Sequence, residues 1–255
     1  MKLRQALPDP LALGGPTVAT DGRLTLSGHT WDEGFNVGVL LKPAPGTKIG
    51  LAYRYGMQHD VKHGQIQLTG LSGALAGING QYLGSAALDL PDRYNVGIAQ
   101  TVTPDLTLLG EVDYYTWSDF KAIAVQLATP IAGTTSIVTP ENYRDTWSVA
   151  VGAEYKLNDQ WKLRGGFKYD ETPTVDGFRD TRVPDGDRFW IAAGVRYELN
   201  DRIGIDAGYA HIFVTDSTVN ISRQIYPAPV TVTSDINALS QVTIDVLTLG
   251  FTYQF

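Results

Sequence analysis

Residues 245–255 read DVLTLGFTYQF. Leu247, Leu249, Phe251, Tyr253 and Phe255 alternate with Thr248, Gly250, Thr252 and Gln254. A period of two places the apolar side chains on one face of a strand and the small or polar ones on the other. About ten such residues, rising ~3.3 Å each at a tilt near 45°, climb ~23 Å, close to the height of the apolar band of an outer-membrane barrel. The stretch reads as a transmembrane stave, and the same pattern recurs upstream.

It recurs over residues 35–42, 48–55, 94–99, 106–114, 147–157, 161–169, 189–199 and 203–209, giving about nine strands. The connections alternate strictly. Short ones are Pro43-Ala44-Pro45-Gly46, Thr103-Pro104-Asp105, Asn158-Asp159 and Asn200-Asp201, each built from residues that hairpin turns demand. Longer ones run from Gly56 to Leu90, Ser118 to Asn142, Glu171 to Asp187 and Phe213 to Ala238. Short periplasmic turns and long extracellular loops are the rule in outer-membrane barrels, whereas a soluble sandwich has no reason to keep that parity. The face opposite the apolar stripe mixes charges of both signs, among them Arg54, Glu111, Glu154, Arg164, Lys168, Arg196 and Asp206. A hydrated lumen with cross-strand pairing accounts for this. Tyr155, Trp161, Tyr197, Tyr253 and Phe255 lie near the short turns, as an interfacial belt requires. The fold class expected is all-β, a transmembrane antiparallel β-barrel.

Composition agrees. The 255 residues hold 27 glycines and no cysteine, and the formal net charge is −7. An acidic chain without a basic patch argues against nucleic acid as a partner. No apolar run reaches the ~18 residues of a transmembrane helix. The mean hydropathy of −0.10 is no obstacle to a membrane location, because alternation hides lipid-facing residues in the average. Residues 1–20 are punctuated by Pro and Gly; Leu3–Leu7 is expected to be a helix tail and the rest loop, with Arg23–Ser27 a short strand. Residues 1–15 lack the sustained apolar core of an export signal. Either that signal has been removed or Met1 lies inside a longer reading frame.

Several separated motifs carry a resemblance. Gly28-His29-Thr30-Trp31-Asp32-Glu33-Gly34-Phe35-Asn36-Val37-Gly38 resembles the Gly-Asp-Asp-Trp-Gly-x-Gly-Phe-Asn-x-Gly segment of FadL-type long-chain fatty-acid and aromatic-hydrocarbon outer-membrane transporters. Leu51–Tyr55 resembles the strand after it, and Leu90–Tyr94 the Leu-Pro re-entry. Tyr115–Phe120 is similar to Thr-x-Trp-Ser-x-Phe, and Pro173 with Val183–Trp190 to Pro-Asp-x-Asp-Arg-x-Trp. The motifs follow family order from about residue 20 to the end. His29-Thr30 replaces an acidic pair, which puts any role of those carboxylates in doubt.

The resemblance implies passive passage of a hydrophobic molecule across the outer membrane: capture by extracellular loops, entry to the lumen, and lateral escape into the bilayer. It implies a barrel of about fourteen strands, so residues 1–22 would be an extracellular loop remnant and residues 23–255 the C-terminal part of the barrel. An odd number of strands does not close an all-antiparallel barrel, so the chain is not expected to close alone. Outer-membrane lipid and a fatty acid or hydrocarbon are the expected partners, with the barrel-assembly machinery contacting Phe255. The alternative is a non-transporting barrel or adhesin that binds partners through its loops.

Candidate contacts follow from chemistry. An acyl chain gains ~0.8 kcal/mol per buried CH₂. Leu68, Leu71, Leu75, Ile78, Tyr82 and Leu83 supply apolar surface in the first long connection, and the spacing of the first five predicts a short amphipathic helix. By the resemblance, this loop is one wall of a capture groove. A carboxylate head needs a cation: Arg54, Arg164, Lys168, Arg188 and Arg196 are the lumen candidates, against the alternative of structural pairing with lumen carboxylates. Trp117 and Trp190 fall on the lumen register. Asp176, Asp180, Asp185 and Asp187 match no calcium-loop spacing and read as turn chemistry. His59 and His63 share a face beside Asp60 and read as solvated loop histidines, with metal binding the alternative; no Ser–His pair or phosphate loop is present. No enzyme, cofactor or metal is expected.

Overall fold

The computed structural model describes residues 2–9, 12–13, 17–131, 133–226 and 232–254. Strands β1 (Lys2–Leu7), β2 (Gly22–Ser27), β3 (Asn36–Ala44), β4 (Thr47–Arg54), β5 (Gln58–Thr69) and β6 (Gly80–Asp89) open the chain. Then come β7 (Arg93–Thr103), β8 (Leu106–Tyr115), β9 (Ala122–Ile131), β10 (Thr134–Pro140), β11 (Thr146–Lys156) and β12 (Trp161–Asp170). The last are β13 (Arg188–Asn200), β14 (Ile203–Val214), β15 (Ser217–Tyr226), β16 (Val232–Ser240) and β17 (Thr243–Tyr253). Two 3₁₀ turns, Gly73–Ile78 and Trp117–Asp119, complete the described elements.

The nine strands expected from the alternation form one sheet, in the order β17-β14-β13-β12-β11-β8-β7-β4-β3. Each neighbouring pair is antiparallel. The four short turns all lie at one end of this sheet; Gly46, at φ +79, supplies the left-handed conformation in the first. Among the described residues the long connections lie at the other end, while β17 ends beside the last short turn, where Tyr253 stands opposite Ile203.

Among the described residues seventeen strands stand against about nine expected in the wall, because three of the long connections fold into strands of their own and Lys2–Leu7 joins the expected Arg23–Ser27 strand. β1, β2, β5, β6, β9 and β10 form a six-stranded sheet, and β15 pairs with β16. Two sequence expectations fail here. Lys2–Leu7 is a strand paired with β2, not a helix tail. The helix expected across Leu68–Tyr82 is replaced by the end of β5, a short 3₁₀ turn and the start of β6. Gly70 and Gly73 have positive φ there and interrupt any helix. Gly64, Ile66 and Leu68 are buried while Gln65 and Gln67 are exposed, so the local period is two.

Burial is inverted relative to a soluble sandwich. In the nine-stranded sheet Val151 is 57% exposed, Phe167 61% and Leu249 87%. On the other face Asp113 and Ser148 are each 1% exposed. Among the described residues the buried apolar side chains lie outside this sheet, with Ile212 the exception. A small core of Leu71 and Leu75 with Leu7 and Ile78 instead sits where the β5–β6 connection packs on β1. Among the described residues nothing covers the apolar face of the large sheet, which is the arrangement lipid tails require.

Aromatic rings girdle that face near the long loops. Tyr53, Tyr94 and Tyr114 are in register across β4, β7 and β8, with ring centroids 5.0 and 6.4 Å apart. Trp147, Tyr169 and Phe189 continue the row at 5.7 and 5.2 Å. Near the short turns the Trp161 and Tyr197 rings meet in a tilted pair with centroids 4.6 Å apart. The two rows flank the apolar band as amphipathic rings do at membrane–water interfaces.

Three tyrosines of the upper row share one device. Tyr53, Tyr114 and Tyr169 donate their hydroxyls to Asp92, Asp145 and Asp187 at 2.9, 2.8 and 2.9 Å. The second oxygen of each carboxylate accepts a backbone N–H from the loop that leaves the tyrosine's strand: Gly56 at 2.6 Å, Ser118 at 2.8 Å and Thr172 at 2.9 Å. Each aspartate stands one residue before β7, β11 or β13. It therefore ties the strand that leaves the membrane to the neighbour that re-enters it. At Gly56 a Cβ would lie 2.1 Å from the Leu90 carbonyl oxygen, so only glycine fits that crossing. Asp145→Ala frees both donors. Hydrogen bonds to charged groups contribute about 1.5–3 kcal/mol, so the Ser118 amide is expected to exchange ~10-fold faster or more by hydrogen-exchange mass spectrometry. Unchanged exchange would show that the loop is held by other contacts.

Candidate functional site

The polar face of the nine-stranded sheet carries layered chemistry. Near the short turns an ion belt crosses β11 to β14. Arg164 donates to Glu154 at 2.7 Å and to Asp206 at 3.0 Å; Arg196 donates to Asp206 at 2.7 Å and to Glu198 at 2.6 Å. Near the long loops Arg188 pairs with Asp185 at 2.7 Å and Asp170 at 3.2 Å, and Arg93 with Asp113 at 2.8 Å. Three of the five head-group candidates, Arg164, Arg188 and Arg196, are thus already neutralised by carboxylates. Among the described residues Arg54 and Lys168 have no ion-pair partner within 4.0 Å.

Between the two ionic layers lies a different stretch. Ala150, Lys168, Trp190 and Ile212 stand opposite one another across β11, β12, β13 and β14. Gly152, Gly166, Ala192 and Ala210 form the next row towards the short turns. Ile212 is 2% exposed. The Trp190 indole N–H is shut from solvent and has no hydrogen-bond partner among the described residues. Short side chains stand beside one unpaired ammonium and one unpaired donor. An amphiphile with an acidic head fits both properties.

The remaining candidates are scattered. Trp117 lies in the rim turn rather than on a strand and packs edge-on against Tyr143 at 5.8 Å. Leu68, Leu71 and Leu75 are buried, so they build the loop sheet rather than line an open groove; Ile78 is half-buried beside them. Tyr82 donates its hydroxyl to the Ile78 carbonyl at 2.8 Å, and Leu83 remains exposed. His59 pairs with Asp32 at 2.6 Å. The loop aspartates are each engaged: Asp176 by Arg179, Asp180 by Arg182 and Arg223, Asp185 by Arg188, and Asp187 by Tyr169.

Sequence reading missed one cluster. Arg182, in the β12–β13 loop, donates to Glu141 at 2.8 Å and to Asp180, and Arg223 of β15 donates to Asp180 at 2.9 Å. Both carboxylates are buried. The cluster joins the end of β10, the β12–β13 loop and the β15–β16 hairpin. Burial, then the Asp180 charge, pushes the Glu141 carboxyl above its usual range. Burial, then the Glu141 charge, pushes the Tyr143 hydroxyl up to about 12. Burial acts on Asp180 in the same sense, but hydrogen bonds from Arg182 and Arg223 outweigh it and hold that carboxyl below its usual range. The alternating charges of Arg179-Asp180-Thr181-Arg182 are the sequence signal for this knot, but its partners lie 41 and 43 residues away.

The profile of the family described as outer membrane protein transport protein (OMPP1/FadL/TodX) matches residues 11–255. The chain belongs to this family. It is 27% identical over 202 residues to the long-chain fatty acid transport protein of Escherichia coli K12, covering 76% of this chain and 45% of that protein. It is 26% identical over 231 residues to outer membrane protein P1 of Haemophilus influenzae, covering 88% of this chain and 48% of that one. The crystal structure of a Pseudomonas aeruginosa FadL homologue superposes with a TM-score of 0.85 at 26% identity, over 99% of this chain and 61% of that chain. The Ralstonia pickettii toluene transporter TbuX, at 22% identity and a TM-score of 0.57, covering 91% of this chain and 51% of that one, shares the fold. The chain spans about half the length of the curated relatives it matches. Family membership places the large sheet in the bacterial outer membrane, and the apolar face and aromatic rows are its lipid-facing surface.

A buried carboxylate whose folded pKa is depressed stabilises at neutral pH, and that contribution fades as the pH falls through its folded value. Asp180→Asn removes charge from two arginines that remain in place. Limited proteolysis within residues 176–182 is expected to speed up ~10-fold or more at pH 7. The difference from the unaltered chain should persist through the usual carboxylate range and shrink only as the pH falls below it, through the depressed folded value of Asp180. Equal cleavage at pH 7 would contradict the assignment.

Proposed function

We propose that this chain forms the C-terminal part of an outer-membrane channel through which hydrophobic molecules, long-chain fatty acids or hydrocarbons, pass passively. The observation that carries the reading is the lumen row holding Lys168 and Trp190 above a row of Gly and Ala. The Lys168 ammonium takes the carboxylate, the Trp190 N–H takes a second oxygen, and the acyl chain lies along Ile212 and the small residues. The belt of Arg164, Asp206 and Arg196 lies towards the periplasmic turns and repels a bare hydrocarbon. That favours exit through the wall over passage straight down. No catalytic step belongs to this arrangement.

A closed barrel needs further strands. Eight antiparallel steps separate β3 from β17, so the two edge strands run in the same direction. An odd number of additional strands closes the sheet with antiparallel pairs throughout, whereas two copies of this chain joined edge to edge pair in parallel. This supports residues 1–22 as an extracellular segment and the rest as wall and loops of a larger barrel. The exposed Leu83 remains on the loop side for capture. The alternative, a barrel that only binds partners through its loops, has no use for an unpaired ammonium inside the lumen.

Titration of the detergent-solubilised protein with a fluorescent fatty acid tests the reading. Lys168→Met should weaken binding of the acid about 10-fold, the loss of one charge-assisted hydrogen bond, and leave binding of the matching fatty alcohol unchanged. Equal effects on acid and alcohol would remove the head-group role from Lys168. Absence of binding in the unaltered protein would favour the loop-binding alternative.

A further inference from the structure

A cavity of about 500 Å³ opens on the rim between the β12–β13 loop and the junction of β14 with β15. It lies just above the outer aromatic row, because its lining residue Asp187 holds the Tyr169 hydroxyl. Val175 is the one large apolar side chain in its wall, so the acyl cargo has no reason to enter.

The wall is rich in hydroxyls. Thr172, Thr174 and Ser217 are buried and already bonded: Thr172 to Asp185, Thr174 to the Asp185 carbonyl, and Ser217 to the Pro184 carbonyl. They fix the shape of the cavity. The Thr215 and Thr218 hydroxyls have no partner among the described residues and are exposed. Asp216 spends one oxygen on the Gln241 amide at 2.9 Å and keeps the other.

Charge selects the ligand class. Arg179, 7% exposed, is held by Thr174 at 2.9 Å, by the Thr218 carbonyl at 3.1 Å and by Asp176, which is itself 82% exposed. Arg144 reaches the cavity while paired with Glu171 at 3.1 Å. Two guanidinium groups therefore face three lining carboxylates, Asp176, Asp187 and Asp216. An anion meets net repulsion there, and a hydrocarbon meets unsatisfied polar groups. A neutral polyol meets neither. Its hydroxyls donate to the free Asp216 oxygen and exchange hydrogen bonds with the Thr215 and Thr218 hydroxyls.

We infer that this rim cavity is a binding site for an uncharged, hydroxyl-rich saccharide unit. The sugar head of a glycolipid standing in the same leaflet and a free sugar share this chemistry. The site stands apart from the lumen reading, since none of its residues belongs to the row containing Lys168.

The test uses the full chain in detergent and in vesicles. In detergent, the neutral disaccharide chitobiose is titrated calorimetrically, with inorganic phosphate as the anionic control. In vesicles of phosphatidylethanolamine with or without glucosyl-diacylglycerol, native mass spectrometry reads the lipid that stays bound. Asp216→Asn and Val175→Trp should each weaken chitobiose binding at least 10-fold, the first by removing an acceptor and the second by filling the cavity. Fluorescent fatty-acid binding by the same variants stays unchanged and shows that they are folded. If Val175→Trp does not fold, Asp216→Asn alone decides. Retention of the glycolipid by the unaltered chain but not by the variants identifies the lipid-borne source; chitobiose binding without such retention identifies free sugar. The inference is overturned if neither saccharide binds, if the variants bind as the unaltered chain does, or if phosphate binds in place of the sugar.

Discussion

Inside a bilayer the backbone has no water to bond to, so each N–H and C=O must find a partner within the protein. The nine-stranded sheet of this chain is the answer to that constraint. Its strands pair antiparallel over 8 to 13 residues, and side chains then have only two directions available. One direction meets lipid and the other meets the lumen. The exposed Leu249 and Phe167 and the buried Asp113 and Ser148 are both consequences of that one ladder.

The lumen follows the same logic at the level of charge. Ionic side chains leave bulk water when the wall forms around them, and they tolerate this because they pair across strands. Asp206 takes one guanidinium from β12 and another from β13, which makes it the centre of the lower belt. Outside the membrane the economy changes. The loop sheet has an ordinary small apolar core, and the loops are bound to one another by Asp180, Arg182, Glu141 and Arg223. At the boundary between these regimes stand Asp92, Asp145 and Asp187. Each uses one oxygen on an interfacial tyrosine and the other on a loop backbone, so strand ends and loops share an anchor.

The wall was legible in the sequence because its two faces meet extreme environments. Leu247, Leu249 and Phe251 cannot be interleaved with polar residues by accident over nine segments that also keep turn parity. Strands β5, β6, β9, β10, β15 and β16 were not legible. They sit in water at the sheet rim, where a residue such as Gln65 or Thr134 serves either face and glycines interrupt the pattern. The three/four spacing of Leu68, Leu71 and Leu75 suggested a helix. In the structure the first residue belongs to a strand and the others to a glycine-bounded turn, brought together by tertiary packing. For the site, sequence reading located the lumen cations but not their state. Whether Arg164 is neutralised and Lys168 is not depends on which carboxylates face each of them across the sheet, a matter of register. The aspartates before β7, β11 and β13 were visible as letters, but their role needs the neighbouring strand.

Site-directed spin labels at successive positions from 247 to 252, in the protein reconstituted into vesicles, test the central claim most directly. Labels at 247, 249 and 251 should collide with dissolved oxygen, which partitions into lipid. Labels at 248, 250 and 252 should collide with a water-soluble nickel chelate, so that the two profiles alternate out of phase. Profiles that rise and fall together, or apolar positions screened from both reagents, would mean that this face packs against protein and that the chain does not form a membrane wall.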